Sequence, residues 1–504
     1  MTERFHSPRS ELRHRTLRGV VVTGVFLVAI DALVLVQGLL VMRLLGPTKI
    51  GLYGLVSTAV IALIALKRIG IDEAFVAQNE PDQEAEFKYA FTLELILAGA
   101  MTVLICALAP LVALLNSDSH ATALMISLAY LPLAFALQAP LWIFFRRMDY
   151  RRQRSLQAIQ PLVGLLVTVP LAYATRSVWS LVIGQVAGYF VAVAVTLAVS
   201  PYRIGLRFDR AVARRYMRFA VPVFVTVVAA MVVIWGQVAA LDLYGGYKAA
   251  GYIFVAVSLT RYVDRADQII TSTIYPVICA IQDSPAALRE LYVKSNRATL
   301  MWVLPYAAAI VLFAPDLVQF VIGREYHGAI VLLQGLAVVG AVTQLGFNWF
   351  SFFRARNQTR PPAIEAVVGG VAFLVLCVAG LAAYGFEGFV VGRIAAALIA
   401  LAVRRYFTRT LLPGIGYASL LAPAIVPLGI AVTASLALRA ATWGGARTLL
   451  EAIAELVIFA GVYVALVLRR EEELVAELVT SVRSSRGVGA VAGGCAPASA
   501  PERS

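Results

Sequence analysis

The sequence predicts an all-α integral membrane protein of about fourteen transmembrane helices, arranged as two six-helix lobes in a parallel repeat plus a C-terminal helix pair. Three observations predict it. The 504 residues are 60% hydrophobic and only 14% charged, too little polar surface to enclose a water-soluble core of that size. Apolar runs long enough to cross a ~30 Å hydrocarbon layer at about 1.5 Å per residue recur along the chain. The basic residues lie in short clusters between those runs, on alternate sides.

Residues 1–19 form a basic cytoplasmic tail. The apolar run from Val20 to Met42 is longer than a signal-peptide core and ends in Arg43 without a small-residue cleavage site, so it reads as the first span. Spans two to six follow at 50–66, 89–114, 121–145, 156–174 and 178–199, and 20–199 makes the N-lobe. Between spans six and seven, in and just after the basic cytoplasmic linker 200–216, Arg203, Arg207, Arg210, Arg214, Arg215 and Arg218 recur at mostly three- and four-residue spacing. That spacing predicts a basic helix lying on anionic lipid, with a solvated linker as the alternative. The C-lobe, 217–410, holds spans at 217–241, 249–280, 298–320, 328–350, 363–383 and 387–403. Spans 416–438 and 448–468 complete the set within 411–470, and 471–504, rich in Gly, Ala, Ser and Pro, is expected to be a disordered cytoplasmic tail.

Charge gives the orientation independently, because cytoplasmic segments are enriched in Lys and Arg. With both termini inside, the inside segments hold 33 of the 43 basic residues and the outside loops 7. A wrong span count would scramble that alternation. The net charge of +14 is therefore a topology signal, and no nucleic-acid partner is expected. The four cysteines, three in apolar runs and Cys495 in the tail, read as packing residues.

An internal repeat supports the two-lobe arrangement. Gly46 and Gly51 follow span one as Gly246 and Gly251 follow span seven, at an offset of 200. Trp142 to Arg146 is echoed by Trp349 to Arg354, and Leu181 to Gly184 by Phe389 to Gly392, near an offset of 208. Three matches in one order point to duplication. Six spans per repeat give both halves the same orientation, with a cavity between them and alternating access as the usual mode of action.

The segment Arg43-Leu44-Leu45-Gly46-Pro47 through Gly51-Leu52-Tyr53 resembles the "RLLGP…GLY" signature of bacterial polysaccharide flippases. These belong to the superfamily of multidrug, oligosaccharidyl-lipid and polysaccharide exporters. The resemblance continues through Tyr275-Pro276, where the family usually has Phe-Pro, to Gly388 through Arg393, and departs in the charges of span eight. It implies a bacterial inner-membrane transporter that moves undecaprenyl-diphosphate-linked oligosaccharide to the outer leaflet for O-antigen, exopolysaccharide or capsule export. Membrane lipid, a polysaccharide polymerase and glycosyltransferases are its implied partners.

Ionisable groups inside spans are the sharpest functional hints, since a charge at mid-bilayer costs about 2.5–3.5 kcal/mol or more unless it faces protein or water. In span eight, Ser258, Arg261, Asp264, Arg265, Gln268, Ser272 and Tyr275 make a polar stripe at helical spacing. Arg261 and Arg265 are candidates to bind a diphosphate by paired hydrogen bonds, and Arg393 in span twelve joins them. The competing reading has the stripe projecting into the cytoplasm, its charges cancelled by Asp264 and Asp267, and Arg393 reaching the outer interface. Asp31, eleven residues into span one, is the candidate proton or cation coupling site; an ion pair with a residue such as Arg393 is the alternative. No nucleotide-binding loop or His/Cys metal cluster is present, so no catalytic residue, cofactor or metal is expected. A multidrug extruder and a membrane glycosyltransferase or polymerase are the other functions considered.

Overall fold

The computed structural model describes residues 9–66, 71–77, 80–116, 119–147, 149–214, 244–265, 284–356, 358, 360–441 and 447–470, with isolated positions between 267 and 281. The predicted seventh span, 217–241, the Tyr275-Pro276 pair, Gln268, Ser272 and the tail 471–504 lie outside the described residues. Among the described residues, nine helices are long and apolar enough to cross a membrane. Two of these each combine two predicted spans.

The first is α1 (Arg9–Leu66), which is broken at Gly46, where φ is 75° and ψ 170°, ahead of Pro47. A left-handed glycine followed by a residue without an amide hydrogen is a strong local stop, so the parts on either side are the first and second predicted spans. After α2 (Ile71–Ala77) come α3 (Gln83–Asn116) and a stepped passage, α4 (Ser119–Leu128), α5 (Leu131–Leu137) and α6 (Pro140–Arg146). Pro132 and Pro140 sit at the first turns of their helices, where a missing amide costs nothing. The hairpin of α7 (Tyr150–Thr175) and α8 (Trp179–Ala198) completes the first group, and α7 also packs on α1.

The second group begins with a helix at 244–260, here α9, which tightens into a 3-10 turn at Arg261–Asp264. The helix expected over 249–280 thus carries a tightened turn, and described positions beyond it, such as Arg265, Asp267, Ile270 and Thr271, are again helical. It continues with α10 (Pro285–Asp316), extended by a π-helical turn to Ile322, then α11 (Ala329–Thr343), α12 (Trp349–Ala355) and α13 (Arg360–Leu411). α13 breaks at Tyr384 and Gly385, between predicted spans eleven and twelve. The last pair, α14 (Tyr417–Ala441) and α15 (Leu449–Arg470), packs together and against α10.

Lipid gives little hydrophobic drive for helix association, so close backbone approach at small residues does much of the work. A methyl group built at Gly184 of α8 would overlap the Thr168 side chain of α7, and one at Gly392 would overlap the backbone carbonyl of Leu376. Both members of each pair are offset by 208, so the duplication is written in the packing. The C-terminal pair is fixed differently, by a buried ion network. Arg447 bonds Asp316 and lies 2.6 Å from Glu455, while Arg439 lies 2.9 Å from Glu455, which also accepts from Ser435.

The linker differs from its expectation. Residues 201–209 are not helical and 210–214 are, while Arg215 and Arg218 lie outside the described residues. Pro201 and Gly205 disfavour a helix there, and specific docking on the first group replaces it. The Tyr202 ring packs 5.9 Å from that of Phe87 with the Arg147 guanidinium 5.1 Å over it, and the Arg207 amide donates to the Thr92 hydroxyl.

Candidate functional site

The tightened turn that follows α9 places the span-eight charges. The Thr260 hydroxyl bonds back to the Ala256 carbonyl at 2.8 Å, and the Tyr306 hydroxyl donates to the Leu259 carbonyl at 2.8 Å. Back-bonding of this kind bends a helix, and the Tyr306 hydroxyl gives a carbonyl beside the tightened turn a second partner. Tyr262 and Val263 are buried, whereas Arg261 is exposed with its guanidinium 5.4 Å from the Tyr262 ring. At this tightened turn Arg261 and Asp264, three positions apart, are both exposed while the two residues between them are buried.

Arg265, one residue past the turn, donates to Asp31 at 2.7 Å, and the two side chains are 32% and 18% exposed. The Tyr262 hydroxyl reaches the Asp31 carbonyl at 3.4 Å. Two residues proposed separately from sequence, 234 positions apart, are therefore one ion pair between the two helix groups. Asp31 is held by Arg265, the ion-paired alternative, with a different partner from the expected Arg393. Asp31 lies within the first apolar run, so this pairing turns the Arg265 end of the polar stripe toward the first helix group.

Arg393 stands elsewhere. Its guanidinium lies 4.7 Å over the Phe373 ring, beside Cys377, between the two halves of α13. The structure thus brings Asp31 and Arg265 together, leaves Arg261 exposed beside the Tyr262 ring, and places Arg393 inside the second lobe. Asp264 accepts from the Gln344 amide at 2.7 Å and Asp267 from the Thr271 hydroxyl at 2.7 Å.

Gln344 marks a feature that hydropathy does not reveal. Between α11 and α12 the chain unwinds at 344–348, with Gly346 at φ 69°. Arg404 donates to the freed carbonyls of Thr343 and Leu345 at 2.7 and 2.8 Å and pairs with Glu365 at 2.9 Å, while Asn348 bonds Asn296 and Ser295. Non-helical backbone at membrane depth persists only where such partners replace water. The corresponding passage of the first group, around Gln138 and Ala139, is likewise stepped.

At the end of the molecule that carries the 43–51 turn, the two groups are sealed together. Val41, Met42, Leu45 and Ile50 share one buried cluster with Tyr252, Ile253, Tyr326 and Leu332. Arg43 donates to the Phe320 carbonyl at 2.7 Å and the Tyr326 hydroxyl to the Met42 carbonyl at 3.2 Å. The Asp31–Arg265 pair lies below this seal, so a polar, cation-bearing region is closed off at one end.

A family model described as "Polysaccharide biosynthesis protein" matches residues 40–331. The chain is 24% identical over 352 residues to "Lipopolysaccharide biosynthesis protein WzxC" of Escherichia coli (strain K12), covering 66% of this chain and 69% of that protein. It is 22% identical over 361 residues to "Succinoglycan biosynthesis transport protein ExoT" of Rhizobium meliloti (strain 1021), covering 67% and 72%. Among solved structures, "Lipid II flippase MurJ, inward closed conformation" superposes with a TM-score of 0.68 at 12% identity, over 90% of this chain and all of that one, which establishes a common fold.

Proposed function

From the membership of this chain in the polysaccharide biosynthesis protein family, shown by the match over residues 40–331, we propose that it carries an undecaprenyl-diphosphate-linked oligosaccharide from the inner to the outer leaflet of the bacterial cytoplasmic membrane. Export of O-antigen, exopolysaccharide or capsule is the purpose of such a step. The relatives' names support this, since one is a lipopolysaccharide biosynthesis protein and the other a succinoglycan biosynthesis transport protein. The protein acts as a transporter rather than an enzyme and uses no cofactor. Both termini are cytoplasmic, so the sealed end bearing the 43–51 turn faces outward, and polymerase and glycosyltransferases of the same pathway are its partners.

The observation that supports the mechanism is the presence of two guanidinium groups on one helix, Arg265 bonded to Asp31 across the two helix groups and Arg261 exposed one turn away. Arg261 and Arg265 stand four positions apart, the right chemistry for a diphosphate, whose oxygens accept paired hydrogen bonds from planar guanidinium forks. Asp31 occupies Arg265 in this state. An arriving diphosphate competes with Asp31 for the same donor, so binding frees the carboxylate that ties the first span to the eighth. Freed, Asp31 can take a proton or cation, which assigns it the coupling role and links substrate arrival to rocking of the lobes. Arg393, set apart over Phe373, has no part in this headgroup contact.

The test is genetic. Deletion of the gene abolishes surface or secreted polysaccharide, with undecaprenyl-linked precursor accumulating in the inner leaflet. Normal polysaccharide with no accumulated precursor would refute the proposal.

A further inference from the structure

The two segments that sequence matched at an offset of 200 touch each other. A methyl carbon built at Gly51 would overlap the Tyr247 carbonyl oxygen and stand 2.6 Å from the Gly251 amide nitrogen. One built at Gly251 would overlap the Pro47 carbonyl oxygen and stand 3.2 Å from the Gly51 amide nitrogen. The contacts are reciprocal: 51 meets 247, 251 meets 47, and 51 meets 251. Reciprocity of this kind defines an isologous contact on a two-fold axis, here the pseudo-axis that relates the lobes. One turn further, Gly54 leaves room for the ring of Phe254, its own repeat equivalent, whose atoms would lie 2.6 Å from a methyl carbon at position 54.

The start of the second span and the start of the eighth therefore cross backbone to backbone, closer than any side chain permits. This differs from the glycines at 184 and 392, which seat helices within one lobe. The Arg43–Phe320 and Tyr326–Met42 bonds close the same end around the crossing.

We infer that the Gly51–Gly251 crossing is the outer gate, made when the outer end is shut and broken when it opens; this rests on the orientation and alternating access proposed above. Rigid lobes that rock about a central axis must separate where they meet on it at one end. A crossing of bare backbone can part without unpicking interdigitated side chains. A side chain at either glycine obstructs the shut form and leaves the open form untouched, so alanine shifts the population outward. Because both glycines serve one contact, one alanine suffices and a second adds little.

Ser258 precedes Arg261 by three positions, about one helical turn nearer the crossing. Placed as Ser258→Cys in a chain cleared of its four native cysteines, it reports outward access when intact cells meet an impermeant maleimide. Gly51→Ala and Gly251→Ala should each raise the labelling rate about tenfold or more, and the double variant should fall within about twofold of either. Gly99→Ala, whose added methyl meets no atom within 4 Å, should leave the rate unchanged. Unchanged labelling in the alanine variants at normal abundance would overturn the inference, as would an additive double variant. Loss of both single variants from the membrane while Gly99→Ala persists would also overturn it, making the crossing a folding contact. Labelling reads conformation alone, so shifted labelling beside a deletion strain with normal polysaccharide would sink the substrate and spare the gate.

Discussion

Removing the carboxylate that occupies Arg265 should strengthen diphosphate binding. The Asp31–Arg265 pair has a 2.7 Å contact and side chains 18% and 32% exposed. At an effective dielectric of ~20 the Coulomb attraction at that separation is about 6 kcal/mol. Desolvation of both groups offsets most of it, and partial exposure screens the remainder, so the net value is about 1 kcal/mol. A competing ligand must overcome that amount, which is about fivefold in affinity. Asp31→Asn should therefore bind a short-chain polyprenyl diphosphate about fivefold more tightly than the unmodified protein. Arg265→Gln loses a charged hydrogen-bond donor worth about 1.5–3 kcal/mol and should bind about tenfold or more weakly. The double variant should bind no better than Arg265→Gln, because the residue that Asp31 masks is gone. Calorimetric titration of the purified variants measures all three. Binding by Asp31→Asn that is weakened, or unchanged, would refute the competition.

Four further outcomes follow from the same geometry. Replacing both Arg261 and Arg265 with Gln should abolish export at unchanged membrane abundance, and the double Lys variant should restore only part, since an ammonium lacks the planar fork; export assays with immunoblots decide it. Glu455→Ala removes from the network a carboxylate that is 3% exposed and leaves Asp316 to balance both Arg439 and Arg447, so it should cost about 3–5 kcal/mol and lower the thermal midpoint of the detergent-solubilised protein clearly, whereas Arg393→Gln should leave diphosphate affinity unchanged. Transport by Asp31→Asn should lose the dependence on pH or ion gradient shown by the unmodified protein, measured in cells with collapsed proton or sodium gradients.

Much of the fold was legible because lipid imposes simple rules on sequence. Apolar runs closed by charge or glycine gave the helices, and the glycine of Leu45-Gly46-Pro47 sits where the first helical run breaks. The offset of 200 even paired Gly51 with Gly251, although only packing shows that repeat equivalents near the axis must touch. Less local features were not legible. Arg265 and Asp31 were each conspicuous, but which charges pair across 234 positions depends on how the lobes pack. Arg439 and Arg447 looked like outside-loop charges and are members of a buried network with Asp316 and Glu455. In the linker, arginines three and four apart suggested a helix, yet Tyr202 and the Arg207 amide dock a non-helical stretch on the first lobe. Periodicity reports a helix only when one face must be buried, and here docking of single residues decides instead.

The central claim is movement of a lipid-linked oligosaccharide between leaflets, and a reconstituted flipping assay tests it most directly. Purified protein in liposomes is given a fluorescent undecaprenyl-diphosphate oligosaccharide in both leaflets, and an impermeant reductant is added outside. With protein present, the protected inner-leaflet fluorescence should be lost as labelled lipid is carried outward, and the double Gln variant at Arg261 and Arg265 should leave it protected. Fluorescence protected to the same extent with the unmodified protein as in protein-free liposomes would contradict the claim.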